Sequence, residues 1–189
     1  MAGFLITDYL REPEKQFSSI EEATRLTHVP EDLLGAVIRV ESDWNPFAFN
    51  PEPKWRWMWD VQLDKPFRKL TSDEIHDERP PADFPKLYGD QDQEWWLQQA
   101  SIGWMQTMGA VVREMGCREP SLLFLVNPAS SLYYGASYLR KLGQRYFKEH
   151  GWEGVIRAYN TGRPDSSAAG DRYLRKVVLS GFREVKLPG

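Results

Sequence analysis

Apolar positions recur at helical spacing in two blocks of the chain and lose any regular period between them. Residues 1–16 read as irregular. Ser18 or Ser19 then caps a helix whose first turn holds Glu21 and Glu22, and which runs to about His28. Pro30 opens a second helix, where its missing N–H has no partner to lose. In that helix Leu33 and Val37 lie four residues apart, with Leu34 and Ile38 beside them, and the next step of four lands on Glu41. A carboxylate therefore continues an apolar stripe.

The period fails over residues 45–99, which carry seven Pro and, from Trp55 onward, five of the eight Trp. This reads as a long irregular excursion with short helices, one of them around Asp92–Gln99. Trp55, Trp57 and Trp59 alternate, so one face of an extended segment is aromatic. That face either lines a cleft or packs the excursion onto the body, and typical Trp burial favours packing. Helical spacing returns at Gly103–Met115, closed by Gly116. The longest stretch is Pro128–His150, with Leu132, Gly135, Ala136, Leu139 and Leu142 on one face and two small residues where another helix fits closely. A short helix follows at Trp152–Tyr159. A last one spans roughly Asp165–Gly181, with Tyr173, Leu174, Val177 and Val178 on its stripe. No strand pair stands out, so the expected fold is mainly α.

A length of 189 residues suits one domain, 1–189, with residues 51–99 inserted in it. Hydrophobic residues at 41% and charged ones at 27% mark an ordinary globular chain. A net charge of −3 offers nothing to nucleic acid or an anionic membrane. The charge is uneven: residues 100–189 hold thirteen Lys and Arg against seven Asp and Glu. Solvated helix faces explain that as well as an acidic polymer would. Cys117 is alone, so no internal disulfide forms. His28, His76 and His150 have no metal-ligand spacing, and no phosphate loop or nucleophile elbow is present, so neither metal nor cofactor is expected. No apolar run is long enough to cross a bilayer, and Met1–Asp8 has no signal-peptide pattern.

Glu41 is then the candidate for chemistry. Burial holds a carboxyl proton to higher pH, and the negative end of the helix dipole acts in the same direction. A carboxylic acid kept neutral near pH 7 is what glycosidic bond cleavage requires. The plainer alternative is a solvated Glu on an outward-turned last turn.

Four stretches in one order sharpen the choice. They are Val40-Glu41-Ser42-Asp43-Trp44-Asn45-Pro46, Ala100-Ser101-Ile102-Gly103-Trp104-Met105-Gln106-Thr107-Met108, Asn127-Pro128 through Leu139, and Ala158-Tyr159-Asn160-Thr161-Gly162. Together they resemble the Glu-Ser, Gly-Leu-Met-Gln and Ala-Tyr-Asn-Ala-Gly signatures of the soluble lytic transglycosylase family, over about residues 18–182. Trp104 and Thr161 depart from its usual Leu and Ala. Asn127 and Ser131 stand where Asp and Asn are frequent. Ala169 stands where an acidic residue is common, with Asp171 nearby. The opening of the excursion, Phe47–Pro53, is similar to phage and prophage relatives with a long insertion.

The resemblance implies a lysozyme-like, goose-type helical domain. It implies cleavage of the β-1,4 bond between N-acetylmuramic acid and N-acetylglucosamine in peptidoglycan, with a 1,6-anhydro product. Glu41 is its implied general acid and then base. Asp43, two residues on, points off the Glu41 face and reads as a turn or cap residue, so no second carboxylate is expected. Ser42, Asn50, Gln106, Met108, Tyr159 and Asn160 are carried over as substrate-binding positions. Gln106 would bind the N-acetyl group, Asn50 would orient the glutamate or substrate, Tyr159 would hydrogen-bond Glu41, and Asn160 would fix the following turn. The implied partners are glycan strands and, for a phage-type member, other virion proteins, with delivery to the wall by a particle or a lysis partner. A hydrolytic goose-type lysozyme and a wall-binding virion component with little activity are the alternatives.

Overall fold

A computed structural model describes residues 16–185, and the expected irregular stretch 1–16 lies outside them except for Gln16. The chain is mainly α. Helix α1 (Ile20–Thr27) starts where Ser19 accepts the Glu22 N–H and ends at His28 in the left-handed conformation. Helix α2 (Glu31–Ser42) follows, with Pro30 at the cap position rather than inside the first turn. Leu33, Leu34, Val37 and Ile38 are fully buried, so the predicted stripe is the core face. Asp43 closes the helix in a left-handed cap, the role its sequence position suggested.

The longest helix, α6 (Pro128–Thr161), is broken once, at Gly151, where the backbone leaves helical geometry (φ 57°, ψ −167°). This is the division between the two helices expected on either side of residue 151. The last helix, α7 (Ala168–Leu179), is shorter than its periodicity suggested, because Ser167 caps it at the Gly170 N–H. Helices α1, α2, α6 and α7 surround the main core, which includes Leu33, Val37, Leu139, Ile156, Leu174 and Val177.

Two small antiparallel sheets correct the strand-free expectation. Strand β1 (Phe49–Pro51) pairs with β4 (Ala100–Ile102), which pairs with β5 (Thr107–Met108). Strand β2 (Trp59–Asp60) pairs with β3 (Lys65–Pro66). Runs of two or three residues are too short to show alternation, so the sequence carried no period for them. The hairpin also removes the start of the helix expected from Gly103, since α5 spans only Gly109–Glu114. Its turn places Gly103 at φ 76°, and a Cβ there would overlap the Leu125 carbonyl. Gly135 serves close approach, as expected, but the neighbour is the Met105 side chain from this turn and not another helix.

The stretch between the sheets carries two short helices, α3 (Ser72–His76) and α4 (Gln91–Gln98). Met58, Leu70, Phe84 and Trp95 form its own small core. A buried ion pair ties it to the body: Arg113 of α5 grips Glu94 of α4 through Nε at 2.9 Å and Nη2 at 2.7 Å. Gln98 extends the link by donating to Glu94 at 2.9 Å and pairing with both the N–H and the carbonyl of Trp59. The alternating tryptophans do not share one fate. Trp55 reaches a cleft, Trp57 is 51% exposed, and Trp59 enters β2.

Candidate active site

Helix α2, the β4–β5 hairpin and the end of α6 converge on a cleft of about 590 Å³. Glu41 lies at its wall because the apolar stripe of α2 carries it inward. Burial pushes its carboxyl up from the ordinary 4.5 to about 7, partly opposed by a hydrogen bond from Tyr173 and by the Lys176 charge. Near neutral pH a large share of Glu41 is therefore a neutral acid.

The hydroxyl against Glu41 belongs to Tyr173 of α7, which donates to Oε1 at 2.5 Å. Tyr173 is 6% exposed, and burial together with the neighbouring Glu41 charge holds its phenol well above the ordinary range. It thus stays a neutral donor. Tyr173 engages Oε1 and leaves Oε2 to exchange a proton with a ligand. The expected bond from Tyr159 is corrected: its hydroxyl donates to the Met105 carbonyl at 2.6 Å and lies 3.5 Å from Thr107 Oγ1. Tyr159 still lines the cleft, and burial and the Glu41 charge raise its phenol. Sequence reasoning placed Tyr173 on the stripe of the last helix but gave it no part at the site. The signal was the same as for Glu41, a polar tip on an apolar stripe.

Gln106 lines the cleft, but its amide is committed within the protein. Nε2 donates to the carbonyls of Ala48 at 3.0 Å and Gly103 at 2.9 Å, and Oε1 accepts from Ser101 at 2.9 Å. Two carbonyl partners fix which end is the nitrogen, so both amide hydrogens are in use. Gln106 itself sits at φ 46°, a conformation that these bonds hold in place. Its side chain therefore ties the residue before β1 to the hairpin and leaves one oxygen lone pair for a ligand.

Ser42 is turned elsewhere. Its Oγ donates to the carbonyls of Trp104 at 2.9 Å and Ile38 at 3.1 Å, and it does not line the cleft. It fastens the end of α2 to the hairpin turn, as does the bond from Trp104 Nε1 to the Trp44 carbonyl at 2.9 Å. Met108 lines the cleft where β5 meets α5. Asn160 lines it too, with an exposed side chain. The turn after Asn160 is fixed by its neighbours: Thr161 Oγ1 accepts the Arg163 N–H at 3.3 Å, and Gly162 takes φ 74°.

Glu52 and Trp55 line the cleft and had no place in the sequence reading of the chemistry. Asn50 of β1 donates through Nδ2 to Glu52 at 2.6 Å, and both line the cleft. Glu52 thereby becomes a second carboxylate in the same cavity as Glu41. Trp55 forms another part of the wall. Asp171, by contrast, pairs with Arg157 at 2.7 Å and Ser166 at 2.5 Å and lies outside the cleft lining. Among the described residues no cluster of acidic, His or Cys side chains is arranged to hold a metal, and no helix is long and apolar enough to cross a membrane.

The family described as the transglycosylase SLT domain matches residues 18–176, which takes in all of α1 through the site and most of α7. Comparison with curated proteins and with solved structures gives no match.

Proposed function

Because the chain belongs to the transglycosylase SLT domain family, we propose that it is a peptidoglycan lytic transglycosylase with Glu41 as its single acid and base. The observation that supports this reading is the part-buried Glu41 in a cleft, its carboxyl raised to about 7 and held at Oε1 by Tyr173. Glu41 Oε2 gives its proton to the glycosidic oxygen as the bond from C1 to that oxygen breaks. The carbonyl oxygen of the substrate's own N-acetyl group bonds to C1 and shares the positive charge. Glu41, now a carboxylate, takes the proton of the sugar's 6-hydroxyl while that oxygen bonds to C1 and displaces the N-acetyl oxygen. The proton balance closes on Glu41, a 1,6-anhydro ring forms, and no water is consumed.

Around that centre, Met108, Tyr159, Asn160 and Asn50 are the residues we assign to substrate contact. Gln106 offers a single acceptor, and Ser42 acts as a positioning residue. Residues 51–99 are read as an insertion within one domain spanning 1–189. A single unfolding transition supports that reading and two separated ones contradict it. The likeness of Phe47–Pro53 to phage-type members supports delivery by a particle or a lysis partner. Detecting the chain in purified particles tests that placement, and its absence there removes the virion version.

Glu52 favours a second reading, hydrolysis. Inverting glycosidases use a second carboxylate to activate water across the sugar from the acid, and Glu52 shares the cleft with Glu41. Product masses decide between the two, since a reducing end is one water heavier than an anhydro end. Anhydro ends that vanish in Glu41→Gln and persist in Glu52→Gln support the first reading. Reducing ends that depend on Glu52 overturn it.

A further inference from the structure

The segment after β1 holds a residue, Trp55, whose one side-chain polar group is used inside the protein while it still lines the cleft. Glu52 N–H donates to the Gln99 carbonyl at 2.7 Å, which carries the β1–β4 pairing one step further. Trp55 follows, its N–H donating to the Glu52 carbonyl at 2.8 Å. Its carbonyl accepts from Arg56 Nη1 at 2.9 Å, and its indole Nε1 donates to the Trp57 carbonyl at 2.5 Å. Arg56 Nη2 in turn reaches the Ile75 carbonyl at 2.6 Å, which braces the segment against the end of α3. The ring packs beside Met58, Leu70, Phe84 and Trp95. An indole has one donor and no acceptor, so what Trp55 offers the cleft is ring surface in a fixed place.

We propose that Trp55 is a specificity-determining sugar platform, against which one N-acetylhexosamine ring of the glycan strand stacks. A pyranose ring presents C–H groups on its faces and hydroxyls around its edge. It therefore matches a π face flanked by acceptors. The flank is present: Glu52, already accepting from Asn50, keeps carboxylate lone pairs for ring hydroxyls. The platform belongs to residues 51–99, so this stretch sets the cleft's selectivity through the part of the wall that Glu52 and Trp55 form. Trp57 is the internal contrast, since it is more exposed than Trp55 and stands outside the cleft lining. The proposal rests on the glycan-cleaving reading above.

The test measures binding of peptide-free glycan strands by calorimetry, in the Glu41→Gln background so that strands survive. Trp55→Leu, which keeps apolar bulk and loses the ring, weakens binding about tenfold, equivalent to roughly 1.4 kcal/mol. Trp55→Phe stays within about threefold and Trp57→Ala matches the parent on the same scale. With Glu41 present, the Trp55→Leu loss falls on KM with kcat little changed. A defect in folding would move both and lower the melting temperature. Glu52→Ala, at an exposed position, is the second variant and also weakens strand binding. Trp55→Leu binding as tightly as the parent, while the wild type cleaves sacculi, overturns this proposal alone. So does a Trp55 effect confined to peptide-bearing strands. A wild type that neither binds nor cleaves glycan overturns this proposal and the function together.

Discussion

Replacing Glu41 with Gln is expected to stabilise the fold at alkaline pH while removing activity. The carboxyl titrates at about 7 instead of 4.5 because it is buried. The folded state therefore binds its proton more tightly than the unfolded chain does. Between those two values the folded state carries more protons, so stability contributed at this site falls as pH rises through the window. A displacement from 4.5 to about 7, at about 1.36 kcal/mol per pH unit, comes to roughly 3 kcal/mol lost once Glu41 is ionised in both states. Gln carries no charge and keeps the oxygen that accepts from Tyr173. The variant therefore melts with the wild type at about pH 4, and above about pH 8 it is more stable by roughly that amount. For a chain of this length each kcal/mol moves the melting temperature by about 2–4 °C, so the gap grows to roughly 6–12 °C. Thermal unfolding of both proteins across this range is the assay. A gap independent of pH, or a variant less stable than wild type at the alkaline end, refutes the buried-acid argument.

Further consequences follow from the same geometry. Activity falls as pH rises through about 7, because the acid form of Glu41 is lost. Tyr173→Phe removes a bond that favours the carboxylate, so this limb of the pH–rate profile moves to higher pH, and an unmoved limb counts against the contact. Glu94→Ala leaves the Arg113 guanidinium buried without its anion and costs about 3–5 kcal/mol in denaturant unfolding, while a loss below about 1 kcal/mol places the pair in solvent. Gly103→Ala meets both a left-handed backbone and the Leu125 carbonyl, and destabilises by at least about 1–2 kcal/mol, measurable in the same unfolding experiment.

What the sequence made legible was local. The α2 stripe, the Ser19 cap and the break at Gly151 are each written in neighbouring residues, and the structure follows them closely. Glu41 stood out because a charge on an apolar stripe is itself a local contradiction. The contact to Tyr173 crosses 132 positions of chain, and no local pattern encodes it. The sequence pattern predicts helix across Gly103–Met108, whereas tertiary contacts decide its geometry. Ser131 Oγ accepts the Met105 N–H at 3.1 Å, Tyr159 donates to the Met105 carbonyl, and Gln106 spends its amide on the turn. Trp55 both packs against the small core and lines the cleft. A period of two describes the spacing of the three tryptophans but not the bond from Trp55 Nε1 to the Trp57 carbonyl.

In the proposed reaction one carboxyl, Glu41, both gives and takes the proton while water stays out. Digestion of purified sacculi in heavy-oxygen water, followed by mass spectrometry of the fragments, tests this directly. The expected result is 1,6-anhydro ends with no heavy oxygen incorporated, and no fragments from Glu41→Gln. Reducing ends carrying heavy oxygen, or undiminished release by Glu41→Gln, would contradict it.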